Sequence, residues 1–163
     1  MNPMKYILLI LTLISCIKAF SAPFPADYVG LWKGDCQAGK NSFKLQIDIK
    51  PTTNKQRYTW IMKYSGASAG DVTRDYAIEI DAKNPSTVWF DEGVGAKFQQ
   101  KAEGNTVFGL LVNQTVMLHS KTSLEAGVMT FELHNYSSTV KEIQPQVGSF
   151  APFGSQNCSL KKN

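Results

Sequence analysis

The chain has 163 residues, 43% of them hydrophobic and 18% charged, with a formal net charge of +4. That composition excludes a disordered or fibrous chain. Lys5 and Lys18 sit in an apolar leader, and without them the charge falls by two. So small a balance argues against nucleic acid as a partner.

In the leader, Lys5 precedes the apolar run from Tyr6 to Ile14. The run is shorter than the roughly 20 apolar residues that a membrane-spanning helix needs. A basic start, a short apolar core and small residues afterwards describe a secretory signal. Residues 1–21 therefore read as a signal, with Ala19-Phe20-Ser21 as a small-x-small cleavage site before Ala22. Leu13-Ile14-Ser15-Cys16 also resembles the lipobox of bacterial lipoproteins. On that route residues 1–15 are the signal and Cys16 is lipidated. One route delivers a periplasmic or secreted protein, the other an outer-membrane lipoprotein whose membrane contact is the lipid at Cys16. The remaining chain, 22–163, is one domain's worth.

Either route leaves Cys36 and Cys158 as an even pair in an oxidising compartment, where a disulfide is expected. Two free thiols or a metal site are the alternatives, but a metal site lacks CxxC spacing or a nearby His.

From Tyr28 onward, apolar and polar residues alternate, the pattern of half-buried strands. Val29 to Cys36 is the first predicted strand. In Ser42 to Lys50, Phe43, Leu45, Ile47 and Ile49 share one face. Arg57 to Ser65 puts Tyr58, Trp60, Met62 and Tyr64 together, and Val72 to Ile80 does the same for Val72, Tyr76, Ile78 and Ile80. Further strands are predicted at Thr87 to Asp91, Ala96 to Ala102, Thr106 to Val112, Thr115 to Ser120, Val128 to Asn135 and Ser138 to Ile143. Pro51 and Pro85 fall in the breaks, as strand chemistry requires. No window reads as an amphipathic helix of ten residues.

About ten short strands at regular spacing predict an all-β fold, either an antiparallel up-and-down β-barrel of about 8–10 strands or a β-sandwich. The cysteines favour the barrel. Cys36 ends the first predicted strand and Cys158 follows the last, and in a closed meander those strands are neighbours.

Gly30-Leu31-Trp32, after the Pro-containing lead-in from Pro23 to Tyr28, resembles the Gly-x-Trp start of lipocalins and their calycin relatives. The resemblance implies a lipocalin-like barrel with Trp32 plugging one end and a cup for an apolar or amphipathic small molecule. The chain departs from the family in two places. The basic C-terminal residue that packs on the Trp has no clear counterpart, and pairing of Cys36 with Cys158 is not the common lipocalin bond.

Arg74 shares the apolar face of its strand with Val72, Tyr76 and Ile78. A cation there is costly unless paired. Arg74-Asp75-Tyr76 resembles the Arg-x-Tyr pair with which intracellular fatty-acid-binding proteins hold a carboxylate. That implies a fatty-acid-like ligand anchored by Arg74 and Tyr76. The alternative is that Arg74 reaches water, Asp91 or Glu92 near the strand end. Tyr58, Trp60 and Tyr64, with Trp89 and Phe98, either line a cavity or fill the core.

His119 and His134 lie on different predicted strands without further ligands nearby. No Gly-x-Ser-x-Gly turn accompanies them. Neither an enzyme, a metal site nor a cofactor is expected. Asp91-Glu92-Gly93 reads as a solvated hairpin, and Lys161-Lys162 as a solvated tail. The oligomeric state has no signature.

Two functions follow as expectations. The first is an exported barrel that binds a small apolar or amphipathic molecule. The second is an envelope interaction or inhibitor protein that uses its loops. A cavity of about 300 Å³ or more points to the first. A filled interior with an exposed apolar patch points to the second.

Overall fold

In a strand with one apolar face, every second residue must be buried at once, and the sheet that satisfies ten such strands here closes on itself. The computed structural model describes residues 26–66, 70–91, 93, 97–112, 116–138 and 150–163. The leader with Cys16, Glu92, and the predicted strand after Ser138 lie outside the described residues.

A 3-10 turn, Ala26–Tyr28, leads into ten strands among the described residues. These are β1 (Gly30–Ala38), β2 (Asn41–Pro51), β3 (Arg57–Ser65), β4 (Val72–Ile80) and β5 (Thr87–Asp91), then β6 (Lys97–Glu103), β7 (Thr106–Val112), β8 (Val116–Glu125), β9 (Val128–Ser138) and β10 (Phe150–Lys162). Each pairs antiparallel with its chain neighbour, and β1 closes the ring against β10. The fold is a closed, up-and-down, ten-stranded β-barrel, so the sandwich is set aside.

The alternation is honoured in detail. Phe43, Leu45, Ile47 and Ile49 of β2 are all buried, while Lys44 and Lys50 are exposed. Their inward neighbours by register are Trp60 and Met62 of β3, also buried. Among the described residues, closure gives every strand a partner on both sides.

Two expectations change at the closing seam. Cys158 does not follow the last strand; it lies inside β10, directly opposite Cys36 of β1 and bonded to it across 122 residues. Lys161 and Lys162 are likewise strand residues and not a loose tail. The strands come close here because β1 carries Gly34. A side chain at that position would run into the Ser159 carbonyl of β10.

One end of the barrel is capped. Tyr28 and Trp32 are fully buried there. The Trp32 Nε1–H donates to the Tyr28 carbonyl at 2.7 Å, and the Tyr28 hydroxyl donates to the Asn105 carbonyl at 2.6 Å. The cap thereby ties the lead-in to the β6–β7 turn. Trp32 thus sits where a barrel-end plug was expected. Lys162 supplies the basic partner that the sequence did not reveal, with its ammonium 5.4 Å from the Trp32 ring centroid.

Candidate ligand cavity

Above the cap, inward-facing side chains fill the barrel on one side and leave space on the other. The space is a cavity of about 140 Å³. One wall is aromatic and comes from β3 to β6. Trp60 meets Phe90 edge-on at 5.4 Å between centroids, Phe90 meets Tyr76 at 6.0 Å, and Tyr76 meets Phe98 at 6.5 Å. Register explains the ladder, since Trp60 lies opposite Tyr76 and Phe90 opposite Phe98. Edge-to-face contacts of this kind add about 0.5–1.5 kcal/mol each beyond burial.

The other wall is aliphatic with polar points. Leu118 and Leu133 line it together with Gln100, Ser120 and Thr122. The centre of this wall is Gly109 of β7, which faces Gln100 on β6 and Ser120 on β8. A Cβ on Gly109 would lie 2.9 Å from the Gln100 amide and would also collide with the Ser120 hydroxyl. The glycine therefore makes room for both polar groups at the wall.

Two electrostatic features define the site. Among the described residues, the cavity lining contains no charged side chain. The Trp60 side chain is 3% exposed, and its Nε1–H, buried from solvent, has no hydrogen-bond acceptor. An unsatisfied buried donor costs about 1–3 kcal/mol.

The residues expected to bind ligand separate into two groups. Trp60 and Tyr76 line the cavity, and so does Phe98. Arg74, Tyr58 and Tyr64 do not. Arg74 keeps the inward parity expected of it, opposite Met62, but is exposed near the β4 end. Burial, the largest influence, raises the Tyr64 pKa above its ordinary value, while Gln156 and the charge of Arg74 pull it down. Tyr58 is half-buried opposite Ile78, and Trp89 alternates out of phase with the buried Val88 and Phe90. The residues that sequence reasoning missed are Gln100, Gly109, Ser120 and Thr122. Their signal was weak: polar residues and a glycine at inward parity in otherwise apolar strands.

His119 and His134 face each other across β8 and β9, on the opposite strand face from the cavity-lining Leu118, Ser120 and Leu133. Their rings stack at 6.0 Å with an interplanar angle of 19°. On the neighbouring strand, Leu110 and Val112 are 57% and 53% exposed.

No family model matches the chain, and no curated protein does. Among solved structures, it is similar to a protein of unknown function from the DUF3598 family of Nostoc punctiforme, with a TM-score of 0.61 and 12% identity. That match covers 85% of this chain and 48% of the other, so the chain spans about half the length of that relative. A second chain, described as EF1p2_mFAP2b bound to DFHBI, matches with a TM-score of 0.46 and 9% identity, covering 88% of this chain and all of the other. The first likeness is one of fold alone.

Proposed function

We propose that this is an exported, lipocalin-like barrel that binds a small apolar or amphipathic molecule in its interior. The observation that carries the reading is the cavity of about 140 Å³ with one aromatic wall and one polar-dotted wall. It is smaller than the roughly 300 Å³ at which ligand pockets usually begin. It compares with an engineered cavity of about 150 Å³ that holds one benzene. A long alkyl chain does not fit wholly within it, so a fatty-acid-like ligand is not the one proposed.

The lipocalin-like part of the reading rests on Gly30-Leu31-Trp32, on the buried Trp32 at the capped end, and on Lys162 over its ring. Export rests on the apolar leader and on the Cys36–Cys158 bond, which suits an oxidising compartment. Intact mass of the mature protein separates the two export routes. An N-terminus at Ala22 means a soluble protein, an acylated Cys16 means a lipoprotein, and a chain that retains Met1 to Phe20 contradicts export by either.

The test of binding is native mass spectrometry on protein purified from its own envelope, beside a Leu133→Trp variant that fills the cavity. A small molecule retained by the native protein and lost from the variant is the expected result. Its absence from both, with no thermal shift from added small molecules, overturns the reading. One observation favours the second function, a protein partner: Leu110 and Val112 stand exposed together on β7. Exposed apolar area of that kind marks contact surfaces when it is contiguous. Leu110 also lines the cavity and Val112 does not, so the test is whether Val112→Ser abolishes a pull-down that Leu133→Trp leaves intact.

A further inference from the structure

We infer that the cavity selects an uncharged, planar molecule of one ring or a small fused pair that carries a hydrogen-bond acceptor. The inference rests on the small-molecule reading above and adds the chemical class. Four observations converge on it.

Size is the first, since about 140 Å³ has room for about one ring. Shape is the second. Trp60, Phe90, Tyr76 and Phe98 already form an edge-to-face ladder. A flat guest continues that ladder, whereas a puckered ring presents no π-face or edge to it.

Charge is the third. No cationic or anionic side chain lines the space among the described residues. A carboxylate or ammonium moved into it would lose its hydration without gaining a counter-ion. Arg74 does not supply one, because it is exposed and outside the lining. Hydrogen bonding is the fourth. The Trp60 N–H is closed off from the space and does not face the guest. On the facing wall, the Gln100 amide and Ser120 hydroxyl stand over Gly109, where they can both donate and accept. The guest that completes this site is flat, neutral and polar at its edge.

Benzamide is the probe, because it is planar, uncharged, one ring in size and has both an acceptor and a donor. Three comparison molecules remove one property each, toluene the polar group, cyclohexanecarboxamide the flatness and benzoate the neutrality, while decanoate removes compactness, flatness and neutrality together. Titrations at pH 7 are followed by ligand-observed NMR and by tryptophan fluorescence. Benzamide is expected to bind at least tenfold more tightly than benzoate, decanoate or cyclohexanecarboxamide. Gln100→Leu removes the lining amide, and is expected to weaken benzamide about three- to tenfold while leaving toluene within twofold. Ser120→Ala, a smaller change, should weaken benzamide in the same selective way and serves if Gln100→Leu does not fold. Benzoate or decanoate binding as tightly as benzamide would overturn the class and leave the barrel a binding protein. Failure of all five probes at millimolar concentration also overturns the class. In that case native mass spectrometry of the envelope-purified protein decides the fate of the broader reading.

Discussion

Lys162 lies across the barrel seam from Trp32, its Cα partner in the ladder, and holds its ammonium 5.4 Å from the centre of the indole ring. The contact joins the end of β10 to β1. It also covers the face of the residue that closes the barrel. Lys162 is exposed, so the cation–π contact contributes about 0.5–1 kcal/mol. Trp32 itself is fully buried and bonded to the Tyr28 carbonyl. Lys162→Ala should therefore lower unfolding stability by about 0.5–1 kcal/mol, and Trp32→Ala by about 3–5 kcal/mol. Urea denaturation of the two variants checks this, and equal losses would show that the ring's packing owes nothing special to its burial.

The Cys36–Cys158 bond closes a loop of 122 residues. In the chain-entropy account, a loop of that length contributes about 4–5 kcal/mol, less if the native geometry is strained. Non-reducing peptide mapping should find the two cysteines linked. Replacing both with Ala should lower stability by about 2–5 kcal/mol. A pair of free thiols in the mature native protein would contradict the bond.

Alkaline pH should destabilise the barrel through two tyrosines. Burial pushes the Tyr28 phenol well above its ordinary value, with Asp27 adding to the effect, and burial likewise raises Tyr64. When the folded pKa exceeds the unfolded one, the native state keeps its proton longer. Stability from these groups is then fully present below about pH 10 and falls as pH rises through the folded values. Denaturation midpoints for the native protein minus those for Tyr28→Phe should be level from pH 7 to 9 and shrink above about pH 10. The variant should also be about 1 kcal/mol less stable at neutral pH, because Phe cannot bond the Asn105 carbonyl. A difference that stays level to pH 12 would sink the argument.

The β8–β9 hairpin turns through Ala126 and Gly127, with φ of 48° and 77°. Two positive φ values in succession suit Asn-Gly, and Ala is a poor fit at the first. Ala126→Asn should stabilise the protein by about 0.5–1 kcal/mol. An unchanged or lower melting temperature would mean that the turn relaxes at no cost with Ala in place.

How much of this was legible in the sequence differs strand by strand. Phe43, Leu45, Ile47 and Ile49 announced β2 because each second side chain had to leave water, which a local window can see. The strand β10 was invisible for the opposite reason. Between Phe150 and Lys162 the inward residues buried among those described are Cys158 and Leu160, preceded by Pro152, Gly154, Gln156 and Asn157. Its strand character comes from pairing on both sides, with β1 and with β9, where the register also shifts between Pro152 and Gly154. Neither partner is within reach of a local window. The cavity divides the same way. Trp60 and Tyr76 showed by parity, but the meeting of Gln100 and Ser120 over Gly109 depends on the register of three strands.

Arg74 tests how far parity can be trusted. It points to the inward side by alternation, yet it is exposed near the end of β4, opposite Met62. Its charge is felt at Tyr64, where it favours the phenolate and so works against burial. Removing that charge should raise the Tyr64 pKa further. Spectrophotometric tyrosine titrations of Arg74→Ala, compared with the same variant carrying Tyr64→Phe, isolate the shift. At pH 7 the same Arg74→Ala variant should bind an uncharged probe within twofold of the native protein, because no lining group has changed. A loss of about ten- to a hundredfold for a carboxylate ligand, the size expected when a charge-assisted hydrogen bond is removed, would instead make Arg74 the anchor. The binding site would then extend from the aromatic wall to the exposed end of β4, and the neutral cavity would be only its floor.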